Sequence, residues 1–154
     1  MPRINYTNED VALLARMMRA EAAGEGREGM LHVGNVIVNR VVANCLDFQN
    51  INSVRDAIFQ IQGGNFSFEA VQKGNLFYKG ARPNEKELAR KVLNGWRQFP
   101  SKYALWYFNP PGPEGSTPQG SCPTEWFGEP FAGRYRNHCF YEPAAGTCPG
   151  VYIR

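Results

Sequence analysis

Apolar residues recur every three or four positions through Val11, Leu14, Met17 and Met18, and the stripe then runs onto an acid, Glu21. That spacing is the period of an α-helix with one buried face. Thr7 or Asn8 stands where the first turn needs a side-chain cap, and Glu9 and Asp10 suit the positive end of the helix dipole. Gly24 is placed to close the helix in the left-handed conformation. A second stripe, Met30, Val33, Ile37 and Val41, runs through "REGMLHVGNVIVNRVV", residues 27–42. The stretch is rich in β-branched residues but too long for one strand, so it predicts a buried helix, with Gly29 and Gly34 leaving room for a neighbouring helix.

Beyond Cys45, Ser53 and Asp56 have the spacing of a capping box ahead of a helix of one or two turns. "QGGNFSFEAVQKGN", residues 62–75, reads as an irregular loop containing a helical turn. After Pro83, Asn84 and Glu87 suggest another capped start, and Leu88, Val92 and Trp96 line one face of a third long helix. The pattern then changes. "YALWYFN" and "RNHCFYE" are aromatic segments of strand type, separated by the Pro- and Gly-rich loop "PPGPEGSTPQG". The expectation is an α+β fold, a mainly helical body with a small β-hairpin or sheet in the C-terminal third, in one domain spanning residues 1–154.

The composition is that of a globular domain: 154 residues, 43% hydrophobic and 20% charged, with a net charge of +3. There is no basic run, so nothing predicts a dedicated nucleic-acid surface. No apolar stretch is long enough for a transmembrane segment, and "MPRINYTNED" lacks the charged-then-apolar pattern of a signal peptide. Cys45, Cys122, Cys139 and Cys148 form no Cys-x-x-Cys pair, which argues against a zinc framework despite His138 beside Cys139. Two disulfides, in any of three pairings, or four buried thiols remain open; no cofactor is called for.

The chemistry lies with the acids. On a helix, Glu21 points along the apolar stripe, where desolvation and the negative end of the dipole both raise a carboxyl pKa. A glutamate so tuned can act as the general acid that cleavage of a glycosidic bond requires. The competing reading is a glutamate solvated or paired with Arg27 or Arg40. Glu25, beyond the helix end, is either a solvent-exposed loop acid or a cleft-lining partner of Glu21. His32, on an apolar helix, and His138, in a strand, read as hydrogen-bonding structural histidines before catalytic bases. No Gly-x-Ser-x-Gly elbow, His-Glu-x-x-His helix or phosphate-binding glycine loop occurs.

Several separated segments carry a more specific signal. "LLARMMRAEAAGEGREGMLHVGNVIVNRV" resembles the opening helices of the SleB/CwlJ cell-wall hydrolases, the spore cortex-lytic family. "NGW" at 94–96, "ALWYFNP" at 104–110, "EWF" at 125–127 and "RNHCFYEP" at 136–143 follow in the family's order. The resemblance runs from about Asp10 to Tyr152. It is greater to the short CwlJ type, through the length and the segments "SCPTEW", "HCFYEP" and "GTCPGVY".

The resemblance implies a lysozyme-like catalytic core that degrades peptidoglycan, with Glu21 as the catalytic acid. In SleB-type relatives the reaction is lytic transglycosylation, cleaving between N-acetylmuramic acid and N-acetylglucosamine to leave a 1,6-anhydromuramyl end. It also implies substrate contacts from Phe68, Trp106, Tyr107 and Trp126 as aromatic faces, from Asn109 through an acetamido group, and from Glu25 and His138. For the CwlJ type it implies synthesis in the mother cell without a signal peptide, placement at the coat–cortex boundary of the spore by a coat partner protein, and a response to calcium dipicolinate during germination. A true hydrolase using Glu25 as base, a silent coat or peptidoglycan-binding protein, and a phage-borne lysin are the alternatives.

Overall fold

The computed structural model describes residues 2–74, 80–110 and 120–153. Helix α1 (Asn8–Ala22) begins at Thr7, whose hydroxyl accepts from the Asp10 amide while the Asp10 carboxylate accepts from the Thr7 amide, a complete capping box. Its apolar stripe is fully buried. The helix does not close on Gly24. A 3₁₀ turn, Ala23–Glu25, prolongs it, and the left-handed backbone falls at Gly26, φ +78°, where the chain turns into α2 (Gly26–Ala43).

Helix α2 is the axis of the fold, buried on nearly every face, and α1 and α5 (Pro83–Leu93) pack on it and on each other. Gly34 makes that approach possible. A Cβ there would lie 3.0 Å from the Met18 sulfur and 3.3 Å from Val92 Cγ2.

The shorter elements depart from their local signals by a residue or two. In α3 (Val54–Ile58) the Ser53 hydroxyl accepts from the Asp56 amide, but the Asp56 carboxylate accepts from Asn52, so only half of the expected box forms. The helical turn in the irregular loop is α4 (Glu69–Gln72), which follows a two-stranded ribbon of β1 (Ile61–Gln62) and β2 (Asn65–Phe66). Helix α5 starts two residues earlier than expected, at Arg82 and Glu85 instead of Asn84 and Glu87. The Glu85 carboxylate accepts from both the Arg82 amide and its guanidinium. Trp96 is not part of that helix, which stops at Leu93 before Gly95 at φ +119°. The indole instead packs on the core from the following loop.

The aromatic segments form β3 (Trp106–Phe108) and β6 (His138–Tyr141), paired antiparallel with Phe108 opposite Cys139. They belong to a larger sheet than a hairpin, in the order β3-β6-β5-β4, with β4 (Glu125–Trp126) and β5 (Glu129–Tyr135) completing it. This is the expected α+β architecture. Residues 111–119 of the Pro- and Gly-rich loop lie outside the described residues. Two disulfides fasten the sheet side of the molecule: Cys45–Cys148 joins the end of α2 to the approach of α6 (Pro149–Ile153), and Cys122–Cys139 joins the lead into β4 to β6. Among the described residues no helix is long and apolar enough to cross a membrane.

Candidate active site

The last turn of α1, α4 and strand β3 converge on a cleft of about 520 Å³. Glu21 enters it because the stripe that buries Leu14 and Met17 continues along the same helix face to the carboxyl. The Tyr107 hydroxyl, carried by β3, donates to Glu21 Oε1 at 2.7 Å. The Glu21 pKa is raised, first by burial. Tyr107 and the Ala70 amide oppose the rise by donating to the carboxylate, the negative charge of Glu69 adds to it, and the positive charge of Arg40 opposes it. The carboxyl is thus held toward its acidic, proton-donating form, with donors ready for the anion.

Arg40 supplies the positive charge of the cleft. Its Nε donates to the Leu105 carbonyl at 2.8 Å and its Nη1 to the Ser67 hydroxyl at 2.9 Å. The guanidinium lies over the rings of Phe48 and Phe68. Burial lowers its pKa to about 10, which leaves it charged at neutral pH. Tyr107 moves the other way, its pKa pushed well up by burial and then by Glu21, so it remains a hydrogen-bond donor. Arg27, the alternative cationic partner for Glu21, lies instead 3.8 Å from Glu87 on the surface.

Phe68, Trp106, Tyr107, Asn109, Trp126 and His138 all line this cleft. Their exposures differ. Phe68 is buried and belongs to the helical core, Asn109 is exposed, and Trp106 and Trp126 are half-buried. Trp126 stacks on Phe108 at 4.7 Å between ring centroids.

Glu25 is neither exposed nor on the cleft wall. It is 5% exposed, and its Oε1 accepts from the Asn137 amide at 3.1 Å and lies 2.9 Å from His138 Nδ1. The pair joins the α1–α2 elbow to the β5–β6 turn. His138 in turn meets the Tyr107 ring edge-on at 5.0 Å. The pKa of His138 is lowered, mainly by burial, against the pull of Glu25.

The second carboxylate of the cleft is Glu69, on the first turn of α4 and ion-paired with Lys73. Neither Glu69 nor Arg40 is among the site residues expected from the sequence. Arg40 did leave a signal, being the one charge in α2 beyond its first turn and standing four residues after the buried Val36. Glu69 left none, since an acid four residues before a lysine is an ordinary exposed helix pair. His32 lies away from the cleft, its Nδ1 2.6 Å from the buried Ser101 hydroxyl. Among the described residues no group of three or more His, Cys, Asp or Glu side chains is arranged to hold a metal ion.

Comparison with known proteins places this geometry in a family. The chain is 47% identical over 152 residues to the cell wall hydrolase CwlJ of Bacillus subtilis (strain 168), covering 99% of this chain and 98% of that protein. It is 34% identical over 139 residues to the spore cortex-lytic enzyme of the same organism, covering 89% of this chain but 39% of that longer protein. The catalytic domain of the germination-specific lytic transglycosylase SleB from Bacillus anthracis superposes with a TM-score of 0.63 at 27% identity, covering 90% of this chain and 98% of that domain. The profile of the cell wall hydrolase family matches residues 24–141, and the chain belongs to that family.

Proposed function

We propose that this chain is a peptidoglycan-degrading enzyme of the spore cortex, acting in germination as a lytic transglycosylase on the bond between N-acetylmuramic acid and N-acetylglucosamine. The observation that carries this reading is Glu21, a half-buried carboxyl held by Tyr107 in an aromatic-walled cleft. Glu21 protonates the leaving glycosidic oxygen as the bond to C1 of the muramyl residue breaks. Positive charge develops at C1, and the Tyr107 hydroxyl and the Arg40 charge stabilise the carboxylate that remains. The muramyl C6 hydroxyl then closes on C1 and gives its proton to Glu21, restoring the acid. One carboxylate thus serves both steps and no water is consumed.

Trp106, Tyr107 and Trp126 offer flat faces to sugar rings, with Phe68 packed 6.1 Å from the Tyr107 ring. Asn109 offers an amide to an acetamido group. Glu25 acts through His138, fixing the ring that borders the cleft. The whole chain, residues 1–154, works as one catalytic domain. In keeping with the resemblance to the CwlJ type, the site of action is the coat–cortex boundary, reached with a coat partner protein.

Glu69 favours a second reading, a true hydrolase in which it activates water, because it is the other carboxylate that lines the cleft. Mass spectrometry of fragments released from purified cortex peptidoglycan tests both. Anhydromuramyl ends, absent with a folded Glu21→Gln variant, are the expected result. Reducing muramyl ends would mean hydrolysis, and equal release by parent and variant would remove Glu21 from the mechanism.

A further inference from the structure

Two apolar side chains, Leu46 and Phe127, hold backbone conformations that L-residues avoid, at φ +52° and +51°. Such geometry crowds Cβ against the neighbouring carbonyl, and it persists mainly where a function holds it. Neither residue is compensated by burial, since Phe127 is 89% exposed and Leu46 40%. Both line a second cavity of about 390 Å³. Gln62, Trp106 and Trp126 line that cavity and also the cleft around Glu21, so the two are consecutive stretches of one groove.

In the turn that carries Phe127, Trp126 pairs with Glu129, and the two residues between them, Phe127 and Gly128, both have positive φ, +51° and +85°. That is the backbone of a type I′ hairpin, whose first central position prefers asparagine. Stability alone would place Asn at 127. The chain instead presents an exposed ring there, 5.4 Å from the Trp126 ring. Beside these rings, Gln62 Nε2 donates to Asp47 Oδ2 at 3.2 Å, a polar edge within the same cavity. Flat apolar faces flanked by hydrogen-bonding groups match a pyranose, whose C–H face is apolar and whose rim carries hydroxyl and acetamido groups.

We infer that this second cavity is a distal saccharide-binding segment of the groove, in which Phe127 and Trp126 stack on sugar rings beyond those at the scissile bond. The inference rests on the glycan-cleaving reading above. It makes the enzyme prefer long strands to short ones.

The test compares kcat/KM on long glycan strands and on tetrasaccharides, for the full chain and for Phe127→Asn. The variant should raise the melting temperature, by about 2–4 °C for each kcal/mol of relieved strain. It should also lower the preference for long strands roughly threefold to tenfold. Phe127→Tyr, which keeps the flat face, should retain the preference. An Asn variant with an unchanged preference would overturn the distal segment, leaving the ring for another occupant such as a protein. A parent that cleaves neither substrate would overturn the glycan-cleaving reading itself.

Discussion

The two disulfides are expected to contribute unequally, and the inequality follows from where they lie in the chain. Cys45–Cys148 closes 103 residues and Cys122–Cys139 closes 17. Loop-closure entropy in the unfolded chain assigns about 4.7 kcal/mol to the first and about 3 kcal/mol to the second. Paired Cys→Ala variants should therefore shift the melting temperature down by roughly 9–19 °C and 6–12 °C respectively, at 2–4 °C per kcal/mol for a chain of this size. Activity should rank the other way. Cys139 follows His138 on β6, and Cys122 leads into the strand that bears Trp126. Opening the shorter loop frees one wall of the cleft and should raise KM more. The assay is thermal unfolding of each variant beside steady-state cleavage of solubilised strands. Equal midpoints, or a larger loss from the 17-residue loop, would refute the entropic reasoning.

Removing the Tyr107 hydroxyl with Tyr107→Phe takes away a hydrogen bond that favours ionised Glu21, so the alkaline limb of the kcat/KM profile should move to higher pH. Glu69→Gln removes a negative charge that holds the Glu21 pKa up, so the same limb should move to lower pH; limbs that shift together would contradict the assignment. Burial pushes His32 down to about 4 in the fold, against 6.5 unperturbed. The unfolded chain therefore binds the proton first, and the unfolding free energy from urea titrations should be highest above pH 6.5 and fall toward pH 4, by at most roughly 3 kcal/mol; a flat profile would show that the ring accepts a proton without cost.

Much of the helical body was legible because its signals are local. The stripe from Val11 to Met18, the Thr7 cap and the apolar run of α2 each need only neighbours within a few turns. The sheet was half legible. β3 and β6 announce themselves through aromatic and β-type residues, whereas β5 contains Pro130 and Gly133 and is bulged between Phe131 and Gly133, which erases its alternation. Arg82 is hard to recognise as a cap because arginine rarely fills that position; only the Glu85 carboxylate makes it one. Glu21 could be singled out because the face on which it stands is set by its own helix. Glu25 could not be placed, because what buries it is Asn137 and His138, more than a hundred residues away.

That long-range contact also bears on the choice between the two reactions. A hydrolase needs a base that reaches a water beside C1, and the carboxylate nearest to Glu21 in sequence is the natural candidate on paper. Glu25 cannot fill that role, because its Oε1 is committed to Asn137 and His138, and freeing it would leave buried polar groups without partners. Only Glu69, among the described carboxylates lining the cleft, could act as the base, and it is already paired with Lys73. Glu21, by contrast, is placed under the opposed influences that the proposed single acid would need. Burial favours its neutral form before bond cleavage, and Tyr107, the Ala70 amide and Arg40 favour its anion afterwards. The opposing influences on one carboxyl match a mechanism in which that carboxyl changes charge twice and no second acid is needed.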